Sequence, residues 1–263
     1  MSSLFTPQIG AVLSADIAVP EHARELRFYK QVLVTGDTPL WGHHGANNLG
    51  MPVLGLGARI PAFEHLPLQW MPHIQVADVS ASAARALELG GTEVMHSRNA
   101  AGDSEWAVLS DANGAAFGII PVVDAASIPA SARGASAHAA VGRIQWLDLT
   151  IADADGTRDF YRQVVGWSVQ DVPMADGDKR YADYNLLGAD GTPSAGICHA
   201  RGVNTGLPPV WMLYVTVGDL EESVRRVEPE GGVVLKSMRG EGGAYTYAAI
   251  QDPVGVCIAL VQG

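Results

Sequence analysis

The chain has 263 residues, 48% of them apolar and 17% charged, which excludes a disordered chain and leaves room for one large domain or two ordinary ones. Twenty-eight acids against seventeen Lys and Arg give a net charge of −11, which repels phosphate backbones and anionic lipid and argues against nucleic-acid or membrane partners. Cys198 and Cys257 are too few for a disulfide framework and form no CxxC pair, so both read as reduced thiols.

The N-terminal MSSLFTPQIG lacks a basic start followed by an apolar run, and no uncharged apolar stretch of about 18 residues occurs, so a cytoplasmic location is expected. The first strand-and-helix signal is ADIAVPEHARELRFYKQVL, with Asp16 in the strand and Phe28-Tyr29 on the helix. His43 and His44 follow in WGHHGANNLG; adjacent strand residues point to opposite faces, and a hairpin or loop with ordinary polar contacts is the expectation. The fragment LGLG, 54–57, lacks the third glycine and following helix of a dinucleotide fingerprint. LPLQWMPHIQVADV, 66–79, starts the next unit, Gly90-Gly91 and the turn Asp111-Ala-Asn-Gly114 come after it, and the Ala/Ser-rich stretch 125–141 reads as a linker.

The chain then repeats itself. LPPVWMLYVTVGDL, 207–220, matches 66–79 at an offset of 141, and the same offset carries Gly90-Gly91 to Gly231-Gly232 and Asp111–Gly114 to Asp252–Gly255. Phe28-Tyr29 and Asp16 match Phe160-Tyr161 and Asp148 at an offset of 132, so the second copy holds nine extra residues between its first helix and its Trp. Domains are expected at 1–124 and 142–263. In the second, Ile144 to Ile151 alternates as a strand, and Thr157, Phe160, Tyr161, Val164 and Val165 make a helical face that Gly166 stops. Strands are expected at 167–172, 180–187 and 194–200; then comes a strand at 211–217, a helix through Leu220, Ser223, Val224 and Val227, and three more strands to Val261. The order is βαβββ twice per copy.

FYRQVVGW (160–167), WMLYVTVGDL (211–220) with its following helix and GG, and DPVG (252–255), in this order and spacing, resemble the vicinal oxygen chelate superfamily of glyoxalase I, extradiol dioxygenases, fosfomycin-resistance enzymes and bleomycin-binding proteins. The resemblance spans nearly the whole chain and implies an α+β fold: two tandem domains, each a pair of βαβββ units forming a curved mixed sheet around a cavity, with helices on the convex side. It also implies that the domains pair as separate subunits do in single-domain relatives, giving a monomer by internal pairing or a homodimer.

Strand alternation assigns cavity-facing positions. Trp146, Asp148 and Thr150 face one cavity with Met212, Tyr214 and Thr216; Ser14, Asp16 and Ala18 face the other with Met71, His73 and Gln75. Metal-binding relatives place His, Gln or Glu on the first and last strand of each unit, where this chain has Ser14, Trp146, Met71, Met212, Gly118 and Ala259. The resemblance therefore implies no metal and no cofactor at the usual site, with Cys198 or His199 the remaining donors. Asp in mid-strand invites a role as proton acceptor or anchor for a substrate hydroxyl, against the plain reading of a hydrogen-bonded carboxylate.

The candidate catalytic residues are Asp16, His73, Asp148, His199 and Tyr214. Trp146, Thr150, Tyr184, Met212, Thr216, Tyr245, Tyr247 and Gln75 are candidates for substrate contact. The second cavity, with the richer polar and aromatic set, is the favoured one. The expected function is metal-independent acid/base chemistry, of lyase, isomerase or cyclase type, on a small apolar or aromatic metabolite. The alternatives are sequestration of a drug or natural product without turnover, and a metal-dependent glyoxalase or dioxygenase with noncanonical ligands.

Overall fold

The computed structural model describes residues 6–33, 45–48, 51–129 and 141–263. His43, His44 and residues 130–140 of the expected linker lie outside them. The first half contains β1 (Val12–Val19), α1 (His22–Val32), β2 (Gly45–Asn48) and β3 (Met51–Ala58), then β4 (Met71–Val76), α2 (Val79–Glu88), β5 (Thr92–Arg98), β6 (Ser104–Ser110) and β7 (Ala116–Pro121). The second contains β8 (Ile144–Ile151), α3 (Ala154–Val165), β9 (Ser168–Asp176), β10 (Lys179–Leu187) and β11 (Pro193–His199), then β12 (Trp211–Val217), α4 (Leu220–Val227), β13 (Val233–Arg239), β14 (Tyr245–Gln251) and β15 (Cys257–Gln262). Three units show the full βαβββ order. The first shows two strands after its helix among the described residues, in the half whose sequence is nine residues shorter at that point.

Local chemistry sets the helix ends. Asp78, Asp153 and Asp219 each accept a hydrogen bond from a first-turn backbone N–H, and Gly166 closes α3 at φ 88°, where a β-carbon would be strained. The sheets run β2-β3-β1-β4-β7-β6-β5 and β13-β14-β15-β12-β8-β11-β10-β9. In each, the opening strands of the two units pair antiparallel at the centre (β1 with β4, β8 with β12), and each is flanked by the parallel closing strand of its own unit.

The helix-facing sides of both sheets share one hydrophobic core. Two small separate clusters, around Met71 and Val108 and around Met212 and Ala259, occupy the opposite faces. α1 packs on α4 and α2 on α3, so the domains meet along two equivalent seams. In one, Tyr29 Oη donates to Asp252 Oδ2 (2.8 Å) and receives Trp70 Nε1 (3.1 Å). In the other, Tyr161 Oη donates to Asp111 Oδ2 (3.3 Å) and receives Trp211 Nε1 (2.9 Å). A β-carbon on Gly232 would fall 2.7 Å from the Phe28 ring, and one on Gly91 3.3 Å from the Phe160 ring. The Phe-Tyr, Trp, Gly-Gly and Asp-turn repeats are thus the residues by which each domain grips the other.

The seams differ where Asn113 of one turn is Val254 in the other, and on the helix that faces each turn. α1 places Glu25 where α3 has Thr157, whose hydroxyl takes the Asn113 amide at 3.1 Å. Glu25 is fully buried with its carboxyl beside that of Asp252, and no Lys, Arg or backbone N–H among the described residues bonds it. Burial, then the charge of Asp252, raises the Glu25 pKa to about 8.

Candidate active site

A cavity of about 600 Å³ opens on the sheet face of the first domain, away from the helices. Its walls are apolar: Leu56 from β3, Phe63 and Leu66 from the loop after it, Met71 from β4, Met95 from β5, and Trp106 and Val108 from β6. Two titratable groups stand among the lining residues, Asp16 on β1 and His73 on β4. Glycines give both their places. A β-carbon on Gly55 would sit 2.0 Å from Asp16 Oδ1, and one on Gly118 would sit 2.7 Å from His73 Cδ2.

His73 Nε2 lies 3.6 Å from Asp16 Oδ2, and His73 Nδ1 pairs with Ser14 Oγ at 2.9 Å. Ser14 and His73 face each other directly across the β1–β4 pair. The Asp16 side chain is 57% exposed and that of His73 20%, so the carboxylate stands at the cavity mouth and the imidazole deeper. Burial lowers the His73 pKa below its usual 6.5, against a smaller upward pull from Asp16. The ring is therefore neutral at pH 7. The adjacent carboxylate favours the tautomer with its proton on Nε2, leaving Nδ1 to accept from the Ser14 hydroxyl.

The second domain is built differently on the same face. Asp148 again lies over a glycine, Gly196, whose β-carbon would fall 2.2 Å from Oδ1. Trp146 Nε1 donates to Asp148 at 2.7 Å, and Tyr214 bonds it as well. Tyr247 stands beside Tyr214 with ring centroids 6.1 Å apart, and Met212 is buried in the same cluster. Burial raises the Asp148 carboxyl to about 6, against the Trp146 and Tyr214 bonds, and it raises the Cys198 thiol above its usual range.

The remaining candidates scatter. His199 ends β11 with Nδ1 (3.1 Å) and backbone N–H (2.8 Å) both on Asp183 Oδ1. Tyr184 turns to the helix side, where it bonds Asp155 and carries Arg158 on its ring. Tyr245 is covered by Arg239 at 3.6 Å. Thr216 is tied to the backbone of Arg143, and Thr150 is buried beside Asp148 on β8. Gln75 is fully buried and bridges the Thr6 and Ala11 carbonyls and the Val123 N–H, so it braces chain segments and forms no wall of the cavity.

The cavity described here lies in the first domain; on the matching face of the second, Tyr214 and Tyr247 pack against a cluster that holds Met212. Trp106, Met95 and Phe63 were not anticipated. Trp106 had a signal, since the 141-residue offset makes it the partner of Tyr247.

Neither constellation fits a divalent ion, which needs about three or more suitable protein donors. Among the described residues no group of three His, Cys, Asp or Glu converges to hold one. Asp16 and His73 have Met71, Gly57 and Gly118 around them, and Asp148 has a protonated thiol.

Comparison with known proteins agrees with this architecture. Residues 13–120 match the family described as "Glyoxalase-like domain", and 143–260 match "Glyoxalase/Bleomycin resistance protein/Dioxygenase superfamily". The putative glyoxylase CFP32 of Mycobacterium tuberculosis is 31% identical over 122 residues, 46% of each chain. The anthracycline biosynthesis protein DnrV of Streptomyces peucetius is 26% identical over 134 residues, 46% of this chain and 47% of that one. The chain thus spans about half the length of the curated relatives it matches. Among solved structures, homoprotocatechuate 2,3-dioxygenase of Arthrobacter globiformis superposes with TM-score 0.57 at 15% identity, covering all of this chain and 82% of the other. The 2,2',3-trihydroxybiphenyl 1,2-dioxygenase of Sphingomonas wittichii gives 0.56 at 14%, covering 97% and 90%. At such identities the likeness shows the fold. Two tandem family matches, the repeated βαβββ units and the paired curved sheets together show that the chain belongs to the glyoxalase/bleomycin resistance/dioxygenase, or vicinal oxygen chelate, superfamily.

Proposed function

We propose that the first domain carries a metal-independent acid/base site acting on a small, largely apolar or aromatic metabolite, with Asp16 as proton acceptor and His73 as hydrogen-bond donor. The observation that carries this reading is the Asp16–His73–Ser14 chain at the polar end of an otherwise apolar 600 Å³ cavity. A carboxylate at the mouth can take a proton from a carbon next to a carbonyl. The neutral imidazole, fixed by Ser14, presents Nε2–H to the carbonyl oxygen, where negative charge develops. Such a pair suits lyase, isomerase or cyclase chemistry, and the apolar walls strengthen both interactions by excluding water.

A second reading is sequestration without turnover, favoured by the extent of the apolar lining and by the half-chain likeness to a protein named for anthracycline biosynthesis. Deuterium exchange separates the two. With 1-tetralone in D2O, the first reading expects exchange of the enolisable hydrogens faster than in buffer, falling to background in Asp16→Asn. Binding of 1-tetralone with no acceleration would support sequestration instead.

A further inference from the structure

We infer that the first-domain cavity selects by charge, taking aromatic ligands whose polar edge is a protonated amine, or a neutral hydroxyl with lower affinity, and turning away carboxylates and phosphates. The inference rests on the reading of this cavity as the ligand site and concerns what it binds, whether or not Asp16 also acts as a base there.

Among the described lining residues no Lys or Arg is present, and Asp16 is the one acid. An anionic ligand would meet that carboxylate at the polar end, or else bury an unpaired charge against Leu56, Met71, Trp106 and Val108, and both placements are costly. His73 offers no compensating positive charge, because its burial keeps the ring neutral. The nearest fixed cation along the chain is Arg59, which follows β3. Its guanidinium is committed to the Glu64 and Leu66 carbonyls at 2.7 and 2.6 Å.

A ligand ammonium is served on every side. Asp16 supplies an accessible carboxylate, and Trp106 and Phe63 supply aromatic faces within the same cavity. Met71 and Met95 add polarizable, adaptable walls for a flat ring system. The second domain does not offer the same reception. Its Asp148 is already bonded by Trp146 and Tyr214, with Trp146 Nε1 at 2.7 Å, whereas Asp16 faces His73 Nε2 at 3.6 Å with its side chain 57% exposed.

The test uses three anthracenes that differ at one substituent: 9-(aminomethyl)anthracene, 9-anthracenemethanol and anthracene-9-carboxylate, with dissociation constants measured at low salt on wild type, Asp16→Asn and Trp106→Ala. The expected order is ammonium tightest and carboxylate weakest, about tenfold or more apart. Asp16→Asn should bring the three within about threefold of one another, and Trp106→Ala should weaken all three, the ammonium most, which locates them in this cavity. A carboxylate that binds as tightly as the ammonium, or an order unchanged in Asp16→Asn, overturns the charge inference while the Trp106→Ala effect keeps the cavity as a ligand site. If none of the three binds, or Trp106→Ala changes nothing, the cavity reading itself fails and the inference with it.

Discussion

The two concave faces descend from one repeat, yet the first lines a cavity of about 600 Å³ and the second carries a cluster of Met212, Ala249, Cys257 and Ala259 with Tyr214 and Tyr247 packed on it. At the repeat offsets, Ser14 answers to Trp146, Ala18 to Thr150, Gly57 to Cys198, His73 to Tyr214 and Gly118 to Ala259. The second domain has the larger residue in all five. Polar and aromatic side chains of the kind that suggest a binding site also take up some of the space a ligand needs. The small residues of the first domain leave the room, and its two titratable groups remain available.

This contrast predicts its largest effect in turnover. Asp16→Asn is expected to lower the deuterium-exchange rate by about 10²- to 10⁴-fold, the usual range for a lost general base, while Asp148→Asn changes it little. Equal losses in both variants, or a loss confined to Asp148→Asn, would reverse the assignment of the working domain. The next effect is on binding. Ser14→Trp installs the second domain's residue beside His73 and should weaken anthracene ligands by about 100-fold with the circular dichroism unchanged, since blocking a pocket removes most of its apolar contact. Titration by ligand fluorescence reads this directly.

The seams give a second comparison, in stability. Both use a Tyr bridging a Trp and the other domain's buried Asp, but only one adds a second buried carboxyl, Glu25. Because the folded chain holds the Glu25 proton more tightly than the unfolded chain does, its contribution to stability is complete below pH 4.5 and is lost as the pH rises through about 8. Arg24 pulls the other way, and Glu21 adds to the shift. Glu25→Gln should flatten this part of the stability–pH curve and gain about 2 kcal/mol near pH 9. Thr157→Val, in the other seam, should leave the slope of the curve alone. Urea unfolding at pH 5, 7 and 9 measures both, and an unchanged slope in Glu25→Gln would show that the buried carboxyl does not hold its proton.

Much of the fold was legible because the core is patterned locally. The β12 alternation and the α3 face carry through to the buried residues Leu213, Val215, Tyr161 and Val164. Asp16, His73, Asp148 and Tyr214 were legible as concave-face residues for the same reason. What a single strand cannot show is volume. LGLG lacks the features of a dinucleotide fingerprint, yet Gly55 in it is what gives Asp16 its place. Gln75 illustrates a second limit: it stands two positions from His73 on β4, but whether that end of the strand meets a ligand or a passing chain segment depends on where Thr6 and Val123 run. Tyr184 shows a third, since its β-strand face was assignable only once Asp155 on α3 was known to receive its hydroxyl.

The smallest predicted effect bears on which partner in each domain carries the cost of burial. In the second domain it is the acid, with Asp148 raised to about 6; in the first it is the base, with His73 lowered below 6.5 while its acid stands exposed. A histidine held neutral by burial binds fewer protons folded than unfolded, so it costs stability as the pH falls through 6.5 toward its own lower value. Over that same window the imidazole keeps the form that donates through Nε2, and exchange activity should persist below pH 6.5 where a solvent-exposed histidine would have been charged. Asp16 moderates the shift, so Asp16→Asn should move the His73 midpoint further down. Histidine Cε1–H chemical shifts followed from pH 4 to 8 measure it, and an upward move would mean that the carboxylate and the imidazole do not face each other across the cavity mouth.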